Sequence, residues 1–415
     1  MTDQANQKKA LVILIACITF NFTIGVLYAW SVVASAMVTA EADGGFGWTV
    51  SQAGIPFSLA IVVLATAVMV GGRIQDKIGP RKVLTVGGAL VGIGLVIAGL
   101  VGNNFFGIVL SFGVVASSGM GLCYSSLSPP ALKWFHPSKK GLISGLIVGG
   151  FGLSAVFYAP VATALLENFG IQNTFLILGV ATFVICIAIA QIIKNPPAGY
   201  VPPTPENLKV SAKRAPAVDI AWREMLASRP FQLMFLMFLL VSSAGLMVIG
   251  NVVTIAQTQA GISDAAILAF LVSFLALTNT FGRVLGGIMS DKIGRINSLF
   301  VIFILQTVNM AAFAFYSSLP ILVVGILLVG FCFGALLSVM PALCADTYGL
   351  KFFGQNYGIL FMAWGFAGVL SPIIANRLFD ATGSFNTAFT ISAVTTGAMI
   401  LANILLKRDI EASKA

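Results

Sequence analysis

The sequence predicts an all-α membrane protein with about twelve transmembrane helices, arranged as two similar halves of six. Three observations support this fold. Hydrophobic residues make up 58% of the 415 residues and charged residues only 9%, a composition typical of chains surrounded by lipid. Long apolar runs alternate with short polar connections, and one polar motif occurs at the same place in each half.

The apolar runs are long enough for helices that cross a bilayer core of about 30 Å, which takes about 20 residues. The first half has runs at 10–38, 52–74, 83–101, 105–132, 141–166 and 172–193. The second half has runs at 231–257, 264–290, 297–316, 319–344, 353–376 and 385–406. We therefore expect a first bundle at 1–194, a linker at 195–229 and a second bundle at 230–415.

The linker is rich in proline and in charged residues, a composition typical of a polar connection. Its end, at 218–227, alternates apolar and charged side chains and favours a short interfacial helix. At the amino terminus, Lys8 and Lys9 precede an apolar run, as in a cleavable signal peptide. This run is much longer than a signal core of about 7–15 residues, which favours a retained first helix.

Basic residues cluster at alternate ends of the runs, while the opposite connections are mostly acidic. This pattern predicts a multi-pass protein of the plasma (inner) membrane with both termini in the cytoplasm. The net charge of +9 follows from the same asymmetry, so it does not indicate a nucleic-acid partner. The five cysteines lack metal-type spacing, and we expect neither a metal nor a cofactor.

A Gly-x-x-x-Asp-Lys-x-Gly motif follows the second run at 72–79 and the eighth run at 287–294. It resembles the cytoplasmic signature of the major facilitator superfamily, a resemblance that covers essentially the whole chain. The glycines allow a tight turn, the carboxylate can cap a neighbouring helix amino terminus, and the cations can bond opposing carbonyls. The expected conformational latch consists of Gly72, Asp76, Lys77, Gly79, Arg81, Gly287, Asp291, Lys292, Gly294 and Arg295.

Arg283 stands apart from the other charges, because it lies eight residues before Asp291 inside the eighth run. That spacing places it about 12 Å deeper along the helix. A cation at this depth favours a place facing the bundle interior, and it attracts an anion such as a carboxylate. The alternatives are snorkelling or a buried acid partner. Asn279 and Thr280 share its helix face, where Asn279 either orients the guanidinium or bonds another helix.

Several strings resemble the oxalate/formate exchanger and monocarboxylate transporter branch of that superfamily. They are Gly25-Val26-Leu27-Tyr28-Ala29-Trp30, the connection from Lys133 to Gly145, and Asn356-Tyr357-Gly358. The resemblance implies alternating access to one central site and places Arg283 on the branch's carboxylate-binding arginine. It also implies cavity roles for Tyr28, Tyr124, Asn251 and Trp364, with Leu27 and Phe333 as apolar wall. From the residues alone, Tyr124 is better interpreted as an aromatic side chain packed between helices.

Differences between this sequence and the oxalate/formate and monocarboxylate branch narrow the range of expected substrates. Oxalate exchangers carry a second membrane cation where this chain has Trp364, and a glutamine where it has Leu27. One cation in a more apolar cavity favours a small monocarboxylate such as lactate or pyruvate over oxalate. Animal monocarboxylate carriers place an aspartate at the position of Asn279, so the usual proton carrier is missing. Proton co-transport is still expected, with an oxalate/formate-type exchanger as the alternative.

Other functional classes fit the sequence less well. A cation exporter would show an acid within the membrane, and a carrier of neutral solutes would not need Arg283. An enzyme would need a nucleophile with a base, or clustered metal ligands, whereas the single histidine, His136, lies in a connection. We therefore predict a transporter, although a transporter-like sensor stays open at this point.

Overall fold

The computed structural model describes residues 3–197, 199–203 and 219–412, apart from the side chains of residues 3–6, 28, 29, 31, 50, 51 and 265. This part of the chain is helical and contains no β-strand. The helices before the linker are α1 (Asp3–Ile24), α2 (Trp30–Val38), α3 (Val50–Ile78), α4 (Pro80–Leu100), α5 (Phe105–Ile108), α6 (Ser117–Trp134) and α7 (Lys140–Ala190). Those that follow are α8 (Trp222–Ala227), α9 (Arg229–Ala260), α10 (Ala265–Ile293), α11 (Arg295–Phe313), α12 (Leu319–Tyr348), α13 (Phe353–Thr382) and α14 (Asn386–Ala412).

Each of the twelve predicted apolar runs is helical over most of its length. Among the described residues, 11 continuous stretches are long and apolar enough to cross a membrane. One of them, Pro137–Ala190, has 54 residues, which is more than twice the length that one crossing needs. Gly170 interrupts this stretch with a φ of 73° and a ψ of 177°, a backbone conformation that suits glycine. The stretch therefore contains the fifth and sixth predicted runs, joined at Gly170.

Two predicted helices contain irregular turns that the apolar pattern does not reveal. The first run changes to a 3₁₀ segment at Gly25–Ala29 before α2 begins. Ser154 Oγ donates to the Phe151 carbonyl of its own helix at 2.6 Å and lies 3.2 Å from the Gly25 carbonyl oxygen. A Cβ at residue 25 would collide with the Ser154 side chain. The fourth run contains a π-helical segment at Val109–Ala116 between α5 and α6. Both irregularities lie within otherwise continuous apolar runs.

The chain forms two compact units. The first consists of Met1–Phe135, Gly150–Pro203 and Phe353–Ile359. The second consists of His136–Gly149, Thr204–Phe352 and Leu360–Ala415. The beginning of α7 thus belongs to the second unit, and the beginning of α13 belongs to the first. The predicted division into 1–194 and 230–415 does not include these two exchanged segments.

Each unit has a core of large apolar side chains. In the first, the Trp30 ring stacks on Phe112 with ring centroids 4.2 Å apart, and its indole Nε1 donates to the Ala53 carbonyl at 3.0 Å. In the second, Phe313 lies 4.8 Å from Phe389 between ring centroids. These buried aromatic contacts hold together helices that are distant in sequence.

The end of the predicted linker forms the short helix α8. It begins at Trp222, so the expected helix at 218–227 is present over its second half, and Val218 lies outside the described residues. Met225 of α8 is fully buried. Just before α8, the Ile220 backbone N–H donates to the Tyr348 carbonyl at 3.1 Å. These contacts attach the end of the linker to the second unit.

Candidate substrate site

Arg283 lies on α10 and only 2% of its surface is exposed. Its Nε donates to Asn279 Oδ1 at 2.9 Å, and its Nη1 donates to the Val148 carbonyl at 2.5 Å. A guanidinium has five N–H donors. The other three have no hydrogen-bond acceptor among the described residues, and none of the ion pairs found there involves Arg283. The side chain is therefore a buried cation with unused donors and no compensating acid.

Close helix packing fixes the backbone around Arg283. A Cβ on Gly334 of α12 would lie 2.9 Å from the Arg283 nitrogen and would also collide with the Asn279 carbonyl. On the other side, a Cβ on Gly145 of α7 would collide with the Arg283 carbonyl oxygen. Val148, which accepts from the guanidinium, lies almost one turn after Gly145. Glycines on two neighbouring helices thus let α10 approach closely enough to hold Arg283 in one position.

Asn279 is buried, and its side-chain oxygen accepts the hydrogen bond from Arg283 Nε. Of the two roles left open by the sequence, this contact matches the one in which Asn279 orients the guanidinium. Thr280 does not take part, because its Oγ donates to the Ala276 carbonyl of its own helix at 3.0 Å. Since the asparagine is neutral, it positions the guanidinium without cancelling its charge.

Three further predicted site residues belong to the second unit. Asn251 is buried, and its Nδ2 donates to the Met247 carbonyl at 2.9 Å. Phe333 is buried against Gly245, where a Cβ would lie 2.6 Å from Phe333 Cδ2. Trp364 stacks on Phe361 with ring centroids 4.9 Å apart. Its indole nitrogen is buried and has no hydrogen-bond acceptor among the described residues, so it is a donor without a partner.

The remaining predicted site residues belong to the first unit. Leu27 is buried in the 3₁₀ segment that interrupts the first run. Tyr124 is buried on α6 and meets Phe151 in a T-shaped contact with centroids 5.6 Å apart. This contact agrees with the aromatic packing that the sequence left as an alternative. The Tyr28 side chain lies outside the described residues.

The first copy of the repeated motif caps a helix with a carboxylate. Asp76, near the end of α3, accepts from the backbone N–H groups of Gly354 and Gln355 at 3.3 and 3.0 Å. These groups belong to the first turn of α13, where a negative charge interacts favourably with the helix dipole. Gly72 lets the two helices approach, since a Cβ there would collide with the Gly354 backbone.

The second copy makes the equivalent cap and adds an ion-pair network. Asp291 accepts from the N–H groups of Gly141 and Leu142, in the first turn of α7, at 2.9 and 2.8 Å. Arg295 pairs with Asp291 and also with Asp346, at 2.9 Å in the second case. Lys140 pairs with Asp346 at 2.9 Å. Because Lys140 and Arg295 are buried, this network holds two cations between two acids.

The basic side chains of the motif do not make the contacts that the sequence predicts. Lys77 and Lys292 are exposed, and neither makes a hydrogen bond to an opposing carbonyl in the part of the chain that the structure describes. Arg81 bonds the side chain of Gln191 at 2.7 Å instead. The turns agree with the prediction, since Gly79 and Gly294 have φ values of 85° and 89°. Sequence reasoning did not identify Lys140 and Asp346 as partners of the motif, because they are distant from it along the chain.

Comparisons with known proteins agree with this architecture. The family model described as Major Facilitator Superfamily matches residues 11–319 and 300–415. The chain belongs to the Major Facilitator Superfamily. Membership makes it a multi-pass membrane transporter and not an enzyme. In fold, it is similar to the crystal structure of the Escherichia coli fucose:proton symporter FucP, with a TM-score of 0.72, 13% identity, and coverage of 96% of this chain and 99% of that one.

Relatives within the superfamily include carriers of small organic anions. The chain is 30% identical to the MFS-type transporter YhjX of Escherichia coli K12, over 89% of this chain and 88% of the relative. It is 28% identical to the oxalate:formate antiporter of Oxalobacter formigenes, with 92% and 88% covered. It is 25% identical to monocarboxylate transporter 13 of Rattus norvegicus, with 83% and 76% covered. The resemblance to the oxalate/formate and monocarboxylate branch is confirmed.

Proposed function

We propose that this transporter carries small monocarboxylates of the lactate and pyruvate type by alternating access, with Arg283 binding the carboxylate. The observation that carries the proposal is the state of the guanidinium. It is buried, it has no acid partner among the described residues, and its unused donors include both N–H groups of Nη2. A carboxylate can accept two of these donors in parallel, which is the geometry that guanidinium groups favour.

Charge is the physical basis for one carboxylate per cycle. A buried cation without a counter-ion is costly in a low-dielectric environment. A bound monoanion neutralises this charge. The occluded intermediate of the transport cycle then forms more easily, because the closed site contains no net charge. A dianion such as oxalate would leave one excess negative charge unless a second cation were present, and Trp364 occupies the position where the resemblance implies that cation. Leu27 and Phe333 would provide the apolar wall that suits an alkyl group.

Proton co-transport forms part of the proposal. With Asn279 in place of an acid, the protein offers no usual proton carrier beside Arg283. A proton would then enter by another route and compensate the charge of the carried anion. The alternative is exchange of one anion for another, which the 28% identity to the oxalate:formate antiporter favours.

The direct test is uptake of labelled L-lactate into proteoliposomes, with and without an inward proton gradient. We expect gradient-stimulated uptake by the wild type and a loss of roughly tenfold or more in Arg283→Gln, since one charge-assisted interaction contributes about 1.5–3 kcal/mol. Arg377→Gln is the matched control, because Arg377 is an exposed arginine on α13 and should keep wild-type uptake.

Unchanged uptake in Arg283→Gln would contradict the role of this residue. If the wild type takes up no lactate under a gradient but exchanges rapidly in vesicles loaded with oxalate or formate, the exchanger is the correct function. In that outcome the presence of Trp364, where the oxalate exchangers have a second membrane cation, would not determine the substrate.

The remaining proposals concern orientation and conformational control. With basic residues at alternate helix ends, both termini would lie on the cytoplasmic side of the plasma (inner) membrane. The carboxylate caps of Asp76 and Asp291 would act as a latch that stabilises one conformation of the cycle. A polar linker at 195–229 would connect bundles at 1–194 and 230–415.

A further inference from the structure

A groove on the first unit shares no residue with the proposed substrate site. It has a volume of about 630 Å³ and lies at the end of the unit that we predict to face the cytoplasm. Its walls combine apolar side chains from α3, α4 and α6 with two basic residues at the start of α4. The residues that matter here are Ile74, Ile78, Arg81, Lys82, Val86 and Leu122.

The apolar walls of this groove are open to the surroundings. Ile78 and Val86 are 50% and 57% exposed, so they present apolar surface outwards from neighbouring helices. Ile74 lies one turn before Ile78 on α3, and Val86 lies about one turn after Lys82 on α4. One turn corresponds to roughly 5.4 Å along a helix. The groove is therefore basic at the membrane surface and apolar towards the membrane interior.

Both cations at the mouth of the groove lack an acid. Among the described residues, no ion pair involves Arg81 or Lys82. Arg81 is held in place by a neutral group, because its Nε and Nη2 both donate to Gln191 Oε1, at 2.7 and 2.5 Å. Gln191 in turn donates to Thr85 Oγ at 3.2 Å. A neutral partner orients the guanidinium and leaves its positive charge uncompensated.

We propose that this groove binds one anionic phospholipid, with its phosphate at Arg81 and Lys82 and an acyl chain along Ile74, Ile78, Val86 and Leu122. Basic pockets between transmembrane helices on the cytoplasmic side suit anionic head groups. A free phosphate would use only the two cations and leave the exposed walls uncovered. A zwitterionic lipid would cover the walls and also carry a phosphate, but the ammonium group of its head group would compensate that phosphate and leave the net charge of Arg81 and Lys82 unmatched. Only a lipid with an anionic head group satisfies both parts of the groove.

The test is titration of the purified full-length transporter with phosphatidylglycerol, followed by native mass spectrometry. Arg81→Gln/Lys82→Gln should bind roughly tenfold more weakly, because each cation near an anionic lipid contributes to binding. Arg81→Lys keeps the charge and should retain most of the binding. Lys407→Gln/Arg408→Gln is the matched control, since these adjacent cations on α14 are exposed and lie outside the groove. Val86→Trp should fill the groove and weaken binding with every charge in place.

Three outcomes would overturn the proposal. The first is equal phosphatidylglycerol binding by the wild type and Arg81→Gln/Lys82→Gln, provided that both melt at the same temperature. The second is equal affinity of the wild type for phosphatidylcholine and phosphatidylglycerol, which would show that the head-group charge is not recognised. The third is complete displacement of the lipid by millimolar inorganic phosphate, which would identify a site for free anions. None of these results depends on lactate transport.

Discussion

At the scale of single residues, the main feature is a buried arginine whose partners are all neutral. Arg283 can be identified from the sequence because a cation within an apolar run has a high free-energy cost in the membrane. Its hydrogen bond to Asn279 also follows from helical spacing, because residues four apart share a face. The bond to the Val148 carbonyl could not be predicted. It joins residues 135 positions apart and uses a backbone group that every residue has.

The neutrality of Asn279 leads to a prediction about anion affinity. In Asn279→Asp, a carboxylate would occupy the position that now bonds Arg283 Nε and would compensate the guanidinium charge. We expect the KM for lactate at neutral pH to rise roughly tenfold, equivalent to about 1.4 kcal/mol.

The measurement is initial-rate uptake in proteoliposomes at neutral pH. Asn297→Asp, which adds the same charge at an exposed position of α11, should leave the KM close to that of the wild type. A KM that is unaffected by Asn279→Asp would show that the charge of Arg283 does not determine anion binding.

At the scale of helices, apolar length predicts where the helices lie but not where their hydrogen bonding changes. The 3₁₀ segment at Gly25–Ala29 accompanies the close approach of Ser154, a residue far away in the sequence. Residues 109–116, in contrast, are as apolar as the helices around them, so the pattern offers no sign of a π-helix. Local irregularities of this kind depend on tertiary contacts, which a single sequence does not display.

Helix packing around Arg283 predicts an unusual sensitivity to a single methyl group. Gly334→Ala would place a Cβ against the backbone of Asn279 and Arg283, so α10 and α12 would have to separate. We expect a lower melting temperature and roughly tenfold less lactate uptake, since small displacements of a binding group reduce activity strongly. Thermal unfolding in detergent and proteoliposome uptake measure the two effects.

Gly250→Ala is the matched control for this change. A Cβ on Gly250 of α9 would lie 3.8 Å from its nearest neighbour, Pro372 Cγ, which is an ordinary contact distance. Alanine also has a better helix propensity than glycine, so this variant should melt at or above the wild-type temperature. Equal behaviour of Gly334→Ala and Gly250→Ala would show that the α10–α12 contact does not constrain the site.

At the scale of the whole molecule, the composition, the series of runs and the repeated motif suffice to predict an all-α fold of the Major Facilitator Superfamily. The composition of the compact units is harder to predict. Residues 140–149 of α7 and 353–359 of α13 belong to a different unit from the rest of their helix. A helix is continuous in sequence whichever neighbours it contacts, so apolar periodicity cannot reveal such an exchange.

Orientation in the membrane can be tested with cysteine labelling, because all five native cysteines are buried. Ala42→Cys and Lys407→Cys introduce thiols at exposed positions on opposite predicted sides. In right-side-out spheroplasts, a membrane-impermeant maleimide should label Ala42→Cys directly and Lys407→Cys only after permeabilisation, because basic ends stay in the cytoplasm. The unsubstituted chain is the background control, and the reverse labelling pattern would show that the orientation is inverted.

The two copies of the Gly-x-x-x-Asp-Lys-x-Gly motif illustrate how a duplicated chain diverges. Asp76 meets only backbone donors in its cap, whereas the equivalent Asp291 also neutralises Arg295. The position that corresponds to Arg295 in the first copy is Pro80, which follows Gly79 just as Arg295 follows Gly294. A neutral side chain in place of Asp291 would leave Arg295 and Lys140 with Asp346 as their shared acid, whereas Asp76 takes part in none of the ion pairs found among the described residues.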